Sequence, residues 1–201
     1  STALTKEKVT PNKHCELFGI IGLNYPLNEY RAGWKNGGKP LVQRLCDKLH
    51  TWDDVQKLIP NMMLSGLVGY SFCCPDMIGG GDIISFSEGN TNLQTEMVVR
   101  SAQIHALMPM MQFSVAPWRI LKGEDLNTVK NAVAIRMKFT PLIMLLAKEA
   151  AQTGEPIVRS MEYVFPNQGY AQVINQFMLG DKLLVAPVTE KGQIKRVVLL
   201  P

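Results

Sequence analysis

The chain has 201 residues, 46% of them hydrophobic and 19% charged, enough apolar content for the core of one domain or one domain plus part of another. The formal net charge of +4 is mild, and the basic residues are scattered apart from a short cluster at Lys191, Lys195 and Arg196. No phosphate-tracking stripe results, so the composition points away from a nucleic-acid partner.

Pro11 and Asn12 signal a helix start, and residues 13–23 read as helical or mixed. Asn24–Pro40 is rich in Asn, Gly and Pro and reads as a long loop with a short strand near Glu29–Trp34. Leu41–Cys46 reads as a strand ending at Asp47. Thr51 then opens a helix, with Trp52, Val55, Leu58, Ile59, Met62 and Met63 at helical spacing. Thr51 and Asp54 fit a capping pattern. The stretch Leu67–Gly81, LVGYSFCCPDMIGGG, has an apolar first part that reads as a strand buried on both faces. Pro75 is expected to end it, delivering Asp76 to a glycine turn. A loop over Gly81–Asn92 precedes a helix over Leu93–Ala106, in which Glu96 and Arg100 are spaced to pair. Met108–Val115 is the next strand, ended by Pro117 and Trp118. Leu126–Ala151 is a long helix with a bend expected before Pro141. Strands and helices thus alternate as consecutive βα units, the pattern of a parallel sheet.

After Gly154 the texture changes. PIVRSMEYVF, QFMLG, KLLVAPV and KRVVLLP are short β-type segments with no helix expected among them. The chain therefore divides into residues 1–152 and 153–201, the second part being the start of an all-β, antiparallel sandwich.

Cys15, Cys46, Cys73 and Cys74 show no CxxC spacing, and His14, His50 and His105 are far apart, so neither metal nor cofactor is implied. Cys73 and Cys74 read as small apolar residues of a buried strand. Met108, Met110 and Met111 read as packing. No run of about 20 uninterrupted apolar residues exists to span a membrane. The most apolar helix, Asn131–Ala151, carries Arg136 and Lys138 and reads as buried.

Two acids, Asp47 and Asp76, stand at expected strand ends, with Arg31 in the loop before the first. Acids at the C-terminal ends of neighbouring parallel strands converge over one face of the sheet, where they can divide into a proton donor and a charge stabiliser. Arginine can hold a polar substrate bidentately. The alternative is that both acids are caps or surface charges. Trp52 is either core or the wall of a sugar site, since aromatic faces stack on C–H-rich rings. Glu16, Glu29, Glu88 and Glu96 have no distinguishing context, except that Glu29 lies two residues before Arg31.

The segments NEYRAGWKNGG, LVQRLCDKLHTWDDVQKLIPNMMLSGLVGYSFCCPDMIGGG, MPMMQFSVAPWR, GEPIVRSMEYVFP and QFMLGDKLLVAPV together resemble glycoside hydrolase family 31, particularly a branch of animal members. The resemblance covers essentially the whole chain. It implies an α/β fold: the C-terminal portion of a (β/α)8 TIM barrel, about strands 5–8, followed by the start of an all-β sandwich domain. It also implies a retaining α-glycosidase whose partner is a carbohydrate with an α-linked terminal sugar. By motif, Asp47 in RLCDKLHTW is the catalytic acid/base, with Trp52 five residues later, Arg31 sixteen residues earlier and Asp76 as further substrate-binding residues.

The family's nucleophile motif is not among these residues. By resemblance it lies upstream of Ser1, and the opening STALTKEKVTPNK also reads as the interior of a longer protein. The chain is therefore expected to be a fragment, inactive and poorly soluble without the missing N-terminal barrel strands. Ser114 stands where many members carry a sugar-binding histidine, Gln112 where arginine is common, and Gly80 where an aromatic often closes the site. The resemblance places the parent in the secretory lumen, at the cell surface or anchored to a membrane. The alternative function is a catalytically inactive carbohydrate-binding or scaffold member of the same family.

Overall fold

The computed structural model describes residues 8–81, 83–86 and 93–201. Residues 1–7, Asp82 and 87–92 lie outside the described residues. They hold the start of the opening segment, Glu88 and much of the loop expected over Gly81–Asn92.

Helix α1 (Pro11–Gly22) begins at its sequence signal. The Thr10 hydroxyl accepts the Lys13 N–H at 3.2 Å, and proline in the first turn forfeits no helical hydrogen bond. Strands β1 (Glu29–Tyr30) and β2 (Val42–Arg44) pair in parallel, Glu29 opposite Val42, and are shorter than expected. Helix α2 (Trp52–Leu67) is capped by Thr51, whose hydroxyl accepts the Asp54 N–H at 3.3 Å. The Asp54 carboxylate takes the Leu49 N–H at 2.6 Å, so the reciprocal half of the capping pattern goes to the preceding loop.

The stretch Leu67–Gly81 departs from its reading as one strand ended by Pro75. Leu67 closes α2, and the strand consists of two short pieces, β3 (Cys73–Cys74) and β4 (Met77–Ile78), on either side of Pro75 and Asp76. β3 pairs in parallel with β2, Arg44 opposite Cys74. β4 pairs in parallel with β5 (Gln112–Phe113), Met77 opposite Gln112. Proline has no N–H to give a ladder. Asp76 adopts a φ of 148°, which L residues rarely take. The chain thereby turns from one neighbouring strand to the next.

Helix α3 (Thr95–His105), the short α4 (Pro117–Ile120) and the long α5 (Gly123–Thr153) follow. α5 runs through Pro141 and stops at Gly154, whose φ of 79° makes the left-handed cap. Its length is not a membrane signature: no described helix is long and apolar enough to cross a bilayer. Beyond it, β6 (Val158–Arg159), β7 (Phe177–Leu179) and β8 (Leu183–Val185) form an antiparallel sheet in that order. Two expectations for this part need correction. A short helix, α6 (Met161–Val164), interrupts it, because Ser160 caps the turn by accepting the Tyr163 N–H at 3.1 Å. KRVVLLP is not a strand. Leu199 there pairs with the Gln176 side-chain amide, which donates to its carbonyl at 2.8 Å and accepts its N–H at 3.1 Å.

The main core draws on both parts of the chain. Ile59 and Met62 of α2, Ile104 of α3 and Leu146 of α5 pack in one cluster with Val158, Phe177 and Leu179 of the antiparallel sheet. A second cluster joins Ile78, Val98, Ala102, Leu121 and Val129 under the other end of the parallel arc. Cys73 and Cys74 lie buried as free thiols, and burial pushes both up to about 12, so they pack as neutral apolar residues.

Gly66 lies where α2 packs tightly against the start of the antiparallel sheet. A Cβ there would meet Pro156 Cβ at 2.7 Å and the Val158 carbonyl oxygen at 3.4 Å. The proline ring cannot rotate away. Gly66→Val is therefore expected to lower stability by about 1–3 kcal/mol, the usual penalty of overpacking. A thermal melt against wild type measures it.

Candidate active site

Strand pairing brings the C-terminal ends of β1, β2 and β3 side by side, and charged side chains converge there. Arg44, at the end of β2, is the hub. Its Nε donates to Glu29 at 2.7 Å, and one terminal nitrogen reaches Asp76 at 3.2 Å and Asp47 at 3.4 Å. Arg31 binds the same Asp47 oxygen at 2.7 Å. Burial alone would pull the Arg44 pKa down; hydrogen bonds and charge from Glu29 and Asp76 outweigh it and push it up. Glu29 also accepts a hydrogen bond from the Gln112 side chain, so the first and last strands of the arc are tied through the same acid.

The two aspartates differ in exposure. The Asp47 side chain is 46% exposed, whereas that of Asp76 is 0% exposed. One Asp76 oxygen accepts the Lys48 N–H at 2.7 Å and the other faces Arg44. The Asp76 carboxylate is committed to the main chain beside Asp47 and to the arginine that touches Asp47. Arg31 and Asp47 are brought together at the surface. The contacts of Trp52 lie elsewhere: its indole N–H donates to Gln94 at 3.0 Å and its ring packs at the margin of the main core.

The glycine turn lies directly over this cluster. Gly81 donates its N–H to the Lys48 carbonyl at 2.9 Å, and a Cβ on Gly81 would sit 2.7 Å from Asp47 Cγ. Gly80 has a φ of 89°, and its Cβ would lie 2.5 Å from the Lys48 carbonyl oxygen. An aromatic residue cannot replace Gly80 in this conformation. Ser114 donates its hydroxyl to the Gly80 carbonyl, and Gln112 is held by Glu29, so both serve the scaffold here. His50 fastens the turn from the far side. Its Nε2 accepts the Gln94 N–H at 2.9 Å, which leaves the ring proton on Nδ1 to donate to the Gly79 carbonyl at 3.1 Å. Below Asp76 lies His105, 0% exposed, with Nε2 3.0 Å from the Asp76 carbonyl oxygen and Nδ1 2.7 Å from the Ser101 carbonyl oxygen.

Arg44, Glu29 and His105 were not singled out from sequence. For Arg44 a signal existed: a charged residue inside a short strand segment whose other members, apart from Gln43, are apolar. A cavity of about 320 Å³ opens beside the cluster, lined by Arg31, Gly33, Gln43, Leu45, Ser65 and Tyr70. Among the described residues, no group of three or more His, Cys, Asp or Glu side chains converges as metal ligands would.

Comparison with known proteins places this geometry in a family. Residues 31–146 match the TIM-barrel domain of the glycosyl hydrolases family 31, and residues 154–201 match that family's C-terminal domain. The chain belongs to glycoside hydrolase family 31. It is 36% identical over 185 residues to the myogenesis-regulating glycosidase of Mus musculus, a match covering 88% of this chain and 26% of the relative. It is 34% identical over 174 residues to the SITS-binding protein of Tetronarce californica, covering 85% of this chain and 24% of the relative. The chain thus spans about a quarter of the length of these curated relatives. Its fold is shared with a cycloalternan-forming enzyme from Listeria monocytogenes, solved with a pentasaccharide substrate. The TM-score is 0.82 and the identity 23%, across 95% of this chain and 19% of that one. The fold is accordingly the later part of a TIM barrel leading into the family's C-terminal domain.

Burial holds the His105 pKa below its ordinary value of 6.5; contact with the Ser101 and Asp76 carbonyls and the Asp76 charge oppose that shift, and the Lys48 charge adds to it. The unfolded chain therefore binds this proton more readily than the folded one, and stability falls as pH drops through and below about 6.5. Thermal melts at intervals between about pH 7.5 and pH 5.5, above the ordinary carboxylate range, are expected to show this loss. His105→Gln is expected to flatten it.

Proposed function

We propose that this chain carries the acid/base half of a retaining α-glycosidase. Asp47 protonates the leaving glycosidic oxygen and then deprotonates the attacking water. The observation that supports the reading is the Arg31–Asp47 pair at 2.7 Å on an exposed face, supported from behind by Arg44. Arg31 offers guanidinium N–H groups to sugar hydroxyls. Asp76 acts on the site through Arg44 and the Lys48 amide. Trp52 serves as a wall at the margin of the core. The substrate is a carbohydrate with an α-linked terminal sugar, as the family resemblance implies. A retaining mechanism needs a second carboxylate about 5 Å from the first. Asp76 is too enclosed for that part, so the nucleophile belongs to another strand of the barrel.

Asp47→Ala in the intact gene product is expected to lower turnover of an unactivated α-linked disaccharide by about 10²–10⁴-fold, the usual contribution of a positioned proton donor. Unchanged turnover would remove Asp47 from the role. These 201 residues alone are expected to show no glycosidase turnover.

A second reading, a family member that binds sugar without cleaving it, is favoured by one observation. Two arginines contact Asp47, so it stands as an ion-pair partner more than as an unengaged proton donor. Sugar binding by the intact wild-type protein, measured calorimetrically with no detectable hydrolysis, would select that reading.

A further inference from the structure

The buried histidine beneath Asp76 has no part in the proton transfers assigned above. Its surroundings nevertheless constrain it tightly. A neutral imidazole has one N–H. The Ser101 carbonyl lies within α3, where the helix supplies a main-chain donor. The Asp76 carbonyl lies at the strand break; apart from His105, the Cys74 thiol donates to it at 3.4 Å. Nδ1 lies closer to the Ser101 carbonyl, at 2.7 Å, than Nε2 does to the Asp76 carbonyl, at 3.0 Å; the weaker alternative donor at Asp76 nonetheless places the proton on Nε2, donating to Asp76. Nδ1 then faces the Ser101 hydroxyl at 3.4 Å as acceptor, and that hydroxyl in turn accepts the Gly79 N–H at 3.5 Å. One side-chain relay thereby holds the main chain on both sides of β4.

We propose that His105 is a positioning residue: as its Nε2–H tautomer it fixes the Asp76 main chain at the strand break, and through Asp76 it sets the Lys48 amide and Arg44 that hold Asp47. The link to turnover rests on the reading of Asp47 as acid/base. The link to geometry does not. The φ of 148° at Asp76 is a conformation that needs holding, and His105 grips the carbonyl of that residue.

Three measurements test it. Nitrogen NMR of the wild-type ring is expected to show the Nε2–H tautomer; an Nδ1–H tautomer overturns the proposal without any variant. Next, Lys48 amide exchange is compared in His105→Gln and His105→Leu. Glutamine places an N–H near the Nε2 position, and leucine fills similar space without a donor. Exchange is expected to rise about tenfold in His105→Leu, the consequence of losing a hydrogen bond of about 1.4 kcal/mol, and to stay near wild type in His105→Gln. Equal behaviour of two folded variants would reduce His105 to packing and sink the proposal. Finally, in the intact gene product, His105→Leu is expected to lower kcat about tenfold with KM little changed, and His105→Gln to restore it. If the Lys48 amide responds as stated while turnover does not, the positioning stands and it is the acid/base reading of Asp47 that fails.

Discussion

The site depends on one guanidinium. Arg44 holds three carboxylates, Glu29, Asp47 and Asp76, that strand pairing alone would bring together in mutual repulsion. For Asp76 the constraint is strict. Moving a carboxylate out of water costs several kcal/mol unless charge partners and hydrogen bonds replace the lost solvent. Arg44 and the Lys48 amide together supply that replacement. Removing Arg44 would leave a buried acid and two neighbouring acids without their common cation, a loss no other described contact makes good. Arg31 could neutralise Asp47 but engages none of the others in an ion pair.

Packing ties this polar layer to the apolar core. The antiparallel sheet after Gly154 shares its main cluster with α2, α3 and α5. Two further contacts bind the parts. Glu96 of α3 accepts the Gly192 N–H at 2.8 Å, and Arg100 donates to the Gln193 carbonyl at 2.9 Å. The Glu96–Arg100 pair anticipated as a helix-surface interaction is 3.9 Å apart, so each residue is engaged more closely by the segment beyond β8 than by the other. That segment therefore helps hold α3, the helix that carries Ser101 and His105.

Helices were legible in the sequence because their signals are local. Pro11 with Asn12, Thr51 with its apolar periodicity and Gly154 each mark a boundary through contacts within one or two turns. The parallel arc was legible as an alternation of elements, but its strands were overestimated, since apolar composition does not reveal where a ladder begins or ends. The break at Asp76 was hidden for the same reason: Pro75 read as a stop, whereas the chain continues with a different neighbour. Asp47 and Arg31 stood out through strand-end position and then through resemblance. Arg44 and Glu29 did not, because their meaning comes from a pairing fifteen residues apart that only strand register creates. The helix at Met161–Val164 was missed because a single serine cap outweighed a β-type composition.

The glycine turn shows why the exposed acid and the buried one cannot be treated separately. Gly80 and Gly81 press on the Lys48 carbonyl and on Asp47 from above, while the amide of the same Lys48 residue is held by Asp76 from within. Lys48 is therefore gripped on both its N–H and its C=O, and the residue before it is Asp47. A displacement of the Asp76 carboxylate passes directly into the backbone that carries the exposed acid, with no side-chain torsion between them to absorb it. An acid on a mobile loop would take up many positions. Here the fold orders it beforehand, and the strained backbone at Asp76 is part of what that ordering costs.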